Sequence, residues 1–315
     1  MKMSEMSRAL KLLEQQTQES GETLTNQEVQ KLLCENGVSS GNLYQELEMD
    51  SSLVDVHNDI STSRDEVQLH SHTFYELIYC YSGNVQYLVG MQRYRLQRGD
   101  IVIIPPGISH RPLFLDQLNE PYRRSVLWLS CEFREQLSQR FPELRQRAEH
   151  YLLRTGGTQW ENISAFFQAA VQENERREPG WQAVVIAQAE LVCVGIARAS
   201  VKINPPQIER QELLDEIILY IEQNMTDKLS LEQTARHFHV SESTVSQLFR
   251  KRLAVSFYRF VTQRRLIAAK NLIQTGTSLE RTAVEVGFGD YSNFYRAFRR
   301  EYGITPSTYR QMLLQ

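Results

Sequence analysis

The spacing of apolar positions divides the chain into segments of different character. Residues 1–40 carry them at helical intervals in "SRALKLLEQQ" and "TNQEVQKLLCENG", with Gly21 and Gly37 where breaks fall. From about Leu43 to Phe133 the pattern is one of short apolar or alternating runs: "FYELIYCY", "VQYLVG", "QRYRLQ", "DIVIIP" and "RRSVLWLSCEF". The turn-forming segments "SGN", "RGD" and "PPGISH" lie between them, which predicts an antiparallel barrel or sandwich. Arg134 to Val201 returns to helical spacing, in two helices separated by Glu178-Pro179-Gly180. The second is apolar around much of its circumference and so is expected to be buried, against the barrel, its partner helix or another subunit. Pro205-Pro206 marks a stiff linker, and everything after Glu212 reads as helices.

The expected fold class is therefore α+β. A helical extension (1–42) precedes an antiparallel β-barrel (43–133), a helical segment suited to dimerisation (134–200), a linker (201–211) and an all-α domain (212–315).

That last domain contains an internal repeat. "LSLEQTARHFHVSESTVSQLFRK" (229–251) aligns with "TSLERTAVEVGFGDYSNFYRAFRR" (277–300), with one extra residue in the second turn. Each copy reads as helix-turn-helix, with Ser230 or Ser278 capping the first helix and Ser241 or Asp290 capping the second. On the second helix of each copy, Val245, Leu248 and Phe249, or Phe294 and Phe298, form the apolar stripe. The opposite faces carry Ser243, Ser246, Gln247 and Arg250, and Ser292, Tyr295, Arg296 and Arg299. Short hydrogen-bonding groups with arginines behind them suit base edges and phosphates. Arg296 suits a bidentate contact to guanine, worth ~1–3 kcal/mol of discrimination, and Gln247 the equivalent contact to adenine. "SFYRFVTQRRLIAAKNLIQTG" reads as one connecting helix, which would set the two readers about 34 Å apart, one turn of DNA.

Charge supports a polyanionic partner. Residues 228–315 hold 14 Lys/Arg against 6 Asp/Glu, net +8, whereas residues 1–227 hold 21 against 32, net −11. Four scattered cysteines without a C-x-x-C pair fit free thiols in a reducing cytoplasm. Neither a secretory signal nor a membrane span is expected.

The remaining chemistry lies in "HSHTFYE". On a strand His70, His72 and Glu76 share one face, and His110 stands at the end of "PPGISH". Three readings are open: contacts to a small polar ligand, groups that satisfy one another, or a transition-metal site. Phe74, Ile78 and Cys80 share the inward parity and Trp128 offers a stacking surface, whereas Tyr75, Tyr79 and Tyr81 face the other way, towards helices.

The C-terminal hundred residues resemble the DNA-binding domain of the AraC/XylS family of bacterial transcription regulators. The likeness is carried by "GF.D.S.F.R.F.R.YG.TP..YR" from Gly287 to Arg310 and, less completely, by Leu231–Lys251. It implies base-facing roles for Ser243, Ser246, Gln247, Tyr291, Ser292 and Arg296, with Asp290 and Asn293 adjoining; Arg250, Arg299 and Arg300, the arginines behind them, are expected on phosphates. The family's glycines before and after the first recognition helix are replaced by His239 and Ala254, which is expected to alter those turns. "H.H.FYEL.Y..SG" (70–83) and "GD.VIIPPG..H" (99–110) resemble the two cupin motifs of that family's effector domain, with Phe114 in place of the second motif's asparagine. The resemblance implies a cupin-like barrel in which His70, His72, Glu76, His110 and Trp128 contact an effector. A carbohydrate or related metabolite is the expected class. The expected protein is then a cytoplasmic, dimeric, non-enzymatic regulator and activator of promoters. It would need no cofactor, and its partners would be double-stranded DNA and RNA polymerase. The rival is a metal-dependent cupin enzyme, a dioxygenase or isomerase, with His70, His72, Glu76 and His110 as ligands and a DNA-binding tail.

Overall fold

The computed structural model describes residues 49–61, 69–114, 118, 120–142, 151–203 and 212–313. The helices expected in the N-terminal extension and nearly all of the linker lie outside these residues.

Among the described residues, eight strands form two antiparallel sheets. They are β1 (Val54–Ser61), β2 (Tyr75–Ser82), β3 (Gln86–Val89), β4 (Gln92–Arg95), β5 (Asp100–Ile104), β6 (His110–Leu113), β7 (Tyr122–Leu129) and β8 (Leu152–Arg154). One sheet has the order β1-β7-β2-β5-β8 and the other β4-β3-β6. The antiparallel β-fold expected from the sequence is present as two sheets, with no continuous hydrogen-bonded closure among the described residues. An isolated bridge pairs His70 with His110.

Period-two alternation assigns the faces of the larger sheet. Leu77, Tyr79, Ile101, Ile103, Leu127 and Leu129 pack into the core formed with the helices. The intervening residues of the same strands, Glu76, Ile78, Val102, Ile104, Val126 and Trp128, lie on the opposite face and pair in register, Glu76 with both Ile104 and Trp128. Gly83 and Gly99 permit the turns that bring these strands together. Both have positive φ (105° and 86°), and a Cβ there would come within 2.8 Å of the Tyr122 Cα or 2.4 Å of the Gly156 Cα.

Helix α1 (Cys131–Arg140) starts inside the run "SCEF", which the sequence reading placed on a strand. The Ser130 hydroxyl accepts from the Phe133 N–H at 3.0 Å and so ends the strand as a helix cap. Likewise β8 lies within the segment expected to be helical. It is three residues long, too short to show a period, and is held by antiparallel pairing to β5. After a 3-10 turn (Gln159–Asn162), α2 (Ile163–Arg176) and α3 (Trp181–Lys202) pack on the larger sheet. By length and composition α3 suffices to cross a membrane, contrary to the expectation of no such segment. Its Val185, Ala189, Val192, Cys193, Ile196 and Ala199 are buried in the sheet–helix core, the placement of a core helix.

The helical region contains α4 (Leu213–Gln223), α5 (Leu231–His237), α6 (Glu242–Leu253), α7 (Phe257–Gln274), α8 (Leu279–Glu285), α9 (Tyr291–Tyr302) and α10 (Pro306–Met312). The chain divides into two compact units, and the boundary between Val261 and Thr262 falls inside α7. The sheets, α1 to α6 and the start of α7 form one unit; the rest of α7 and α8 to α10 belong to the other.

All four expected caps form. Ser230, Ser278 and Ser241 accept from the N–H groups of Gln233, Arg281 and Thr244, and Asp290 accepts from Asn293 at 2.7 Å. His239 and Ala254 leave the turns intact by taking the left-handed conformation themselves, at φ 55° and 52°. The bonds His239 N–H to Arg236 O and Val240 N–H to Ala235 O repeat those of Gly287 to Val284 and Phe288 to Ala283.

Candidate functional site

Three of the four candidate ligands converge. Glu76 Oε2 stands 3.0 Å from His110 Nε2 and 3.5 Å from His72 Nε2. Trp128 Nε1 donates to the other carboxylate oxygen at 2.9 Å. All four side chains are buried. The segment preceding β2 is not regular strand, so His72 reaches Glu76 through a bend rather than through strand parity. His70 stands outside the cluster: its backbone bridges His110, and its ring lies edge-on to the His110 ring at 4.3 Å. Trp128 is enclosed between His57 and Phe74, with ring centroids at 5.2 and 4.8 Å, and its polar group is committed to Glu76.

The histidine tautomers follow from their other contacts. His72 Nδ1 lies 2.8 Å from the Phe74 carbonyl oxygen and His110 Nδ1 lies 2.9 Å from that of Ile108. A carbonyl can only accept, so each Nδ1 carries the proton and donates, and in a neutral ring Nε2 presents a lone pair. With both rings neutral, two imidazole lone pairs and a carboxylate oxygen meet at one buried point; protonation of either ring turns its Nε2 into a donor to Glu76. The His110 Nε2 makes no aligned hydrogen bond despite its distance from Glu76. Burial lowers the His72 pKa, against the pull of Glu76. Burial alone would raise the Glu76 carboxyl, but the adjacent His110 and His72 hold it well below the usual carboxylate range. Such a point calls for a cation or a hydrogen-bond donor. In donor type, His72, Glu76 and His110 also fit a divalent transition metal, with each Nδ1–H fixed by a carbonyl as metal-bound imidazoles require; their ligand atoms lie within 4.8 Å of one another.

The sequence reading missed two tyrosines. Tyr87 pairs with Pro112, two positions from His110 on β6, and its ring is parallel to that of His110 at 6.5 Å. Tyr122 shares the inward parity of Trp128; it is fully buried, and its hydroxyl has no hydrogen-bond partner among the described residues. Alternation along β7 carried this signal for Tyr122, whereas Tyr87 required the β3–β6 register.

The second set of candidate residues lies on α6 and α9. Ser243, Gln247 and Arg250 are exposed on α6 and Ser246 is half-buried, above buried Val245 and Phe249. On α9, Ser292, Asn293, Arg296, Arg299 and Arg300 are exposed and Tyr291 is half-buried, above Phe294 and Phe298. Asp290 precedes α9 as its exposed cap. A relay links three of these: Asn293 Nδ2 donates to Asp290 Oδ2, and Arg296 Nη2 donates to Asn293 Oδ1, each at 2.7 Å.

Comparison with known proteins matches the regions in which the two sets of residues lie. Residues 60–176 match the model of the AraC-like ligand binding domain and residues 234–312 that of a helix-turn-helix domain. The chain is 27% identical over 265 residues to the uncharacterized HTH-type transcriptional regulator YfiF of Bacillus subtilis, covering 80% of this chain and 81% of that one. It is 25% identical over 254 residues to the HTH-type transcriptional activator RhaR of Pectobacterium atrosepticum, covering 78% and 87%. Among solved structures, the C-terminal domain of the two-component response regulator yesN from Fusobacterium nucleatum aligns at 31% identity and TM-score 0.30. That alignment covers 30% of this chain and 95% of that domain.

Proposed function

The chain belongs to the AraC family of transcription regulators, and on that premise we propose that a small hydroxyl-rich metabolite, a carbohydrate or a close relative, binds at the His72–Glu76–His110 cluster and controls promoter binding by α6 and α9. The observation that carries this reading is the buried convergence of three acceptors, which donor hydroxyl groups satisfy. The unpartnered Tyr122 hydroxyl adds a group able both to donate and to accept. His70 borders the cluster, and Trp128 orients the Glu76 carboxylate.

On the DNA side, Ser243, Ser246, Gln247, Tyr291, Ser292 and Arg296 read bases, with Asp290 and Asn293 setting Arg296. Arg250, Arg299 and Arg300 hold phosphates. The protein acts as an activator beside RNA polymerase, in the compartment that holds the DNA. It works as a homodimer through α3, whose exposed Val184 and Leu191 stand seven residues apart on one face.

A thermal-shift screen of neutral sugars and polyols against the full chain tests the reading. A shift that Glu76→Gln abolishes is expected. The second reading takes the same cluster as a metal centre, where a bound ion would supply Lewis-acid chemistry. Stoichiometric iron, manganese or zinc in untagged protein, lost in His72→Ala, with no response to any sugar, would overturn the first reading in favour of the second.

A further inference from the structure

The three-stranded sheet has two faces of different character. Strand register puts Arg93, Leu88 and Arg111 in one row across β4, β3 and β6, and puts Gln92, Val89 and His110 in the next. Residues paired across an antiparallel sheet share a face and successive residues alternate, so the two rows point in opposite directions. The row containing His110 faces the acceptor cluster. The row containing the two arginines faces the start of α4 and the end of α6.

Arg93 meets the first turn of α4. Its Nε donates to Asp215 Oδ1 at 2.7 Å and its Nη2 donates to Glu212 Oε2 at 2.9 Å and Asp215 Oδ2 at 3.2 Å. Glu212 and Asp215 are the capping box of α4, whose carboxylates already lie at the positive end of the helix. The Arg93 side chain is only 10% exposed and that of Asp215 21%, so solvent screens this pair less than the contact with the half-exposed Glu212. Arg111, itself buried, donates through Nη2 to the carbonyl of Leu253, the last residue of α6. That carbonyl belongs to the negative end of the recognition helix, where a cation is favoured. Leu88, between the two arginines, is fully buried.

We propose that Arg93 and Arg111 clamp α4 and the recognition helix α6, respectively, on the outer face of this sheet, and that β6 transmits occupancy of the acceptor cluster to α6 through the adjacent pair His110 and Arg111. The clamp stands on its own contacts; the transmission rests on the ligand site proposed above. A ligand that pulls His110 towards Glu76 moves the same strand that holds Leu253.

Hydrogen exchange of the full chain, followed by mass spectrometry, tests both parts without a ligand. Arg93→Met and Arg111→Met should each speed exchange over residues 213–218 and 250–254 by about tenfold, as expected when a docked element opens locally. Residues 123–128, in the larger sheet, should exchange as in the wild type and so report an intact fold. Glu212→Gln, made from the helical side, should raise exchange over 213–218 in the same way. His110→Gln should speed exchange over 250–254, whereas His72→Gln, in the same cluster but off β6, should not. Wild-type exchange in both arginine variants would overturn the clamp. Wild-type exchange in His110→Gln, with both arginine variants responding, would overturn the transmission. Failure of the ligand site shows separately, as an absence of any sugar-dependent thermal shift in the wild type.

Discussion

Ala254 and Gly303 close the two recognition helices with the same left-handed turn, at φ 52° and 74°. One position carries a Cβ and the other does not, so the first copy bears a strain of roughly 1–2 kcal/mol that the second avoids. His239 stands in the same relation to Gly287, at φ 55° and 84°. Glycine costs unfolded-state entropy, which offsets part of any gain. Ala254→Gly is expected to stabilise the protein by about 0.5–1 kcal/mol, read as a higher denaturant midpoint at unchanged slope. A lower midpoint would show that the Ala254 methyl makes a packing contribution larger than the strain.

Glu76 offers a separation of fold from function. In Glu76→Gln an amide oxygen still accepts from Trp128, and the amide NH₂ can donate to one of the histidine lone pairs. Stability should then change by no more than ~1 kcal/mol, while the sugar response proposed above is expected to disappear. In Glu76→Ala the buried Trp128 N–H loses the acceptor it has at 2.9 Å, and a loss of about 2–4 kcal/mol is expected from thermal unfolding.

Asn293 should act on specificity through Arg296, whose guanidinium it holds at 2.7 Å. If Arg296 reads a base pair as proposed, Asn293→Ala should flatten the preference there by ~1 kcal/mol in a competition assay over single-base variants. Arg300→Ala should instead weaken binding to all sequences and lower the salt dependence of log K by about one unit of slope. Equal losses on specific and random DNA in both variants would refute this division of roles.

Asp100 carries a pH signature. It is buried, its carboxylate accepts from the Gln97 N–H at 2.9 Å, and burial pushes its pKa up from 3.8 to about 6. A folded-state pKa above the unfolded one stabilises fully below pH 3.8, and that contribution is lost as pH rises to about 6. Asp100→Asn should therefore gain stability at pH 7 relative to the wild type, on the order of 1–3 kcal/mol, and little or nothing near pH 4. Urea midpoints at the two values measure it.

How much of this was legible before the fold depended on distance along the chain. The helix-turn-helix hairpins, their four caps and the buried Val245, Phe249, Phe294 and Phe298 are properties of neighbouring residues, because capping and amphipathic spacing act within a turn or two. The sequence by itself also determined the strand-rich and helical regions and the inward side of β2. It did not determine which three of the four candidate ligands, His72, Glu76 and His110, converge with His70 beside them, since that depends on a bend before β2 and on how β6 is placed. Only the tertiary structure brought Trp128 to Glu76, 52 positions away, and Arg93 to Asp215, 122 away. Those contacts arise from strand register and from the packing of separate elements. No local rule of spacing encodes either, because the free energy that selects them is gained only when distant surfaces are buried together.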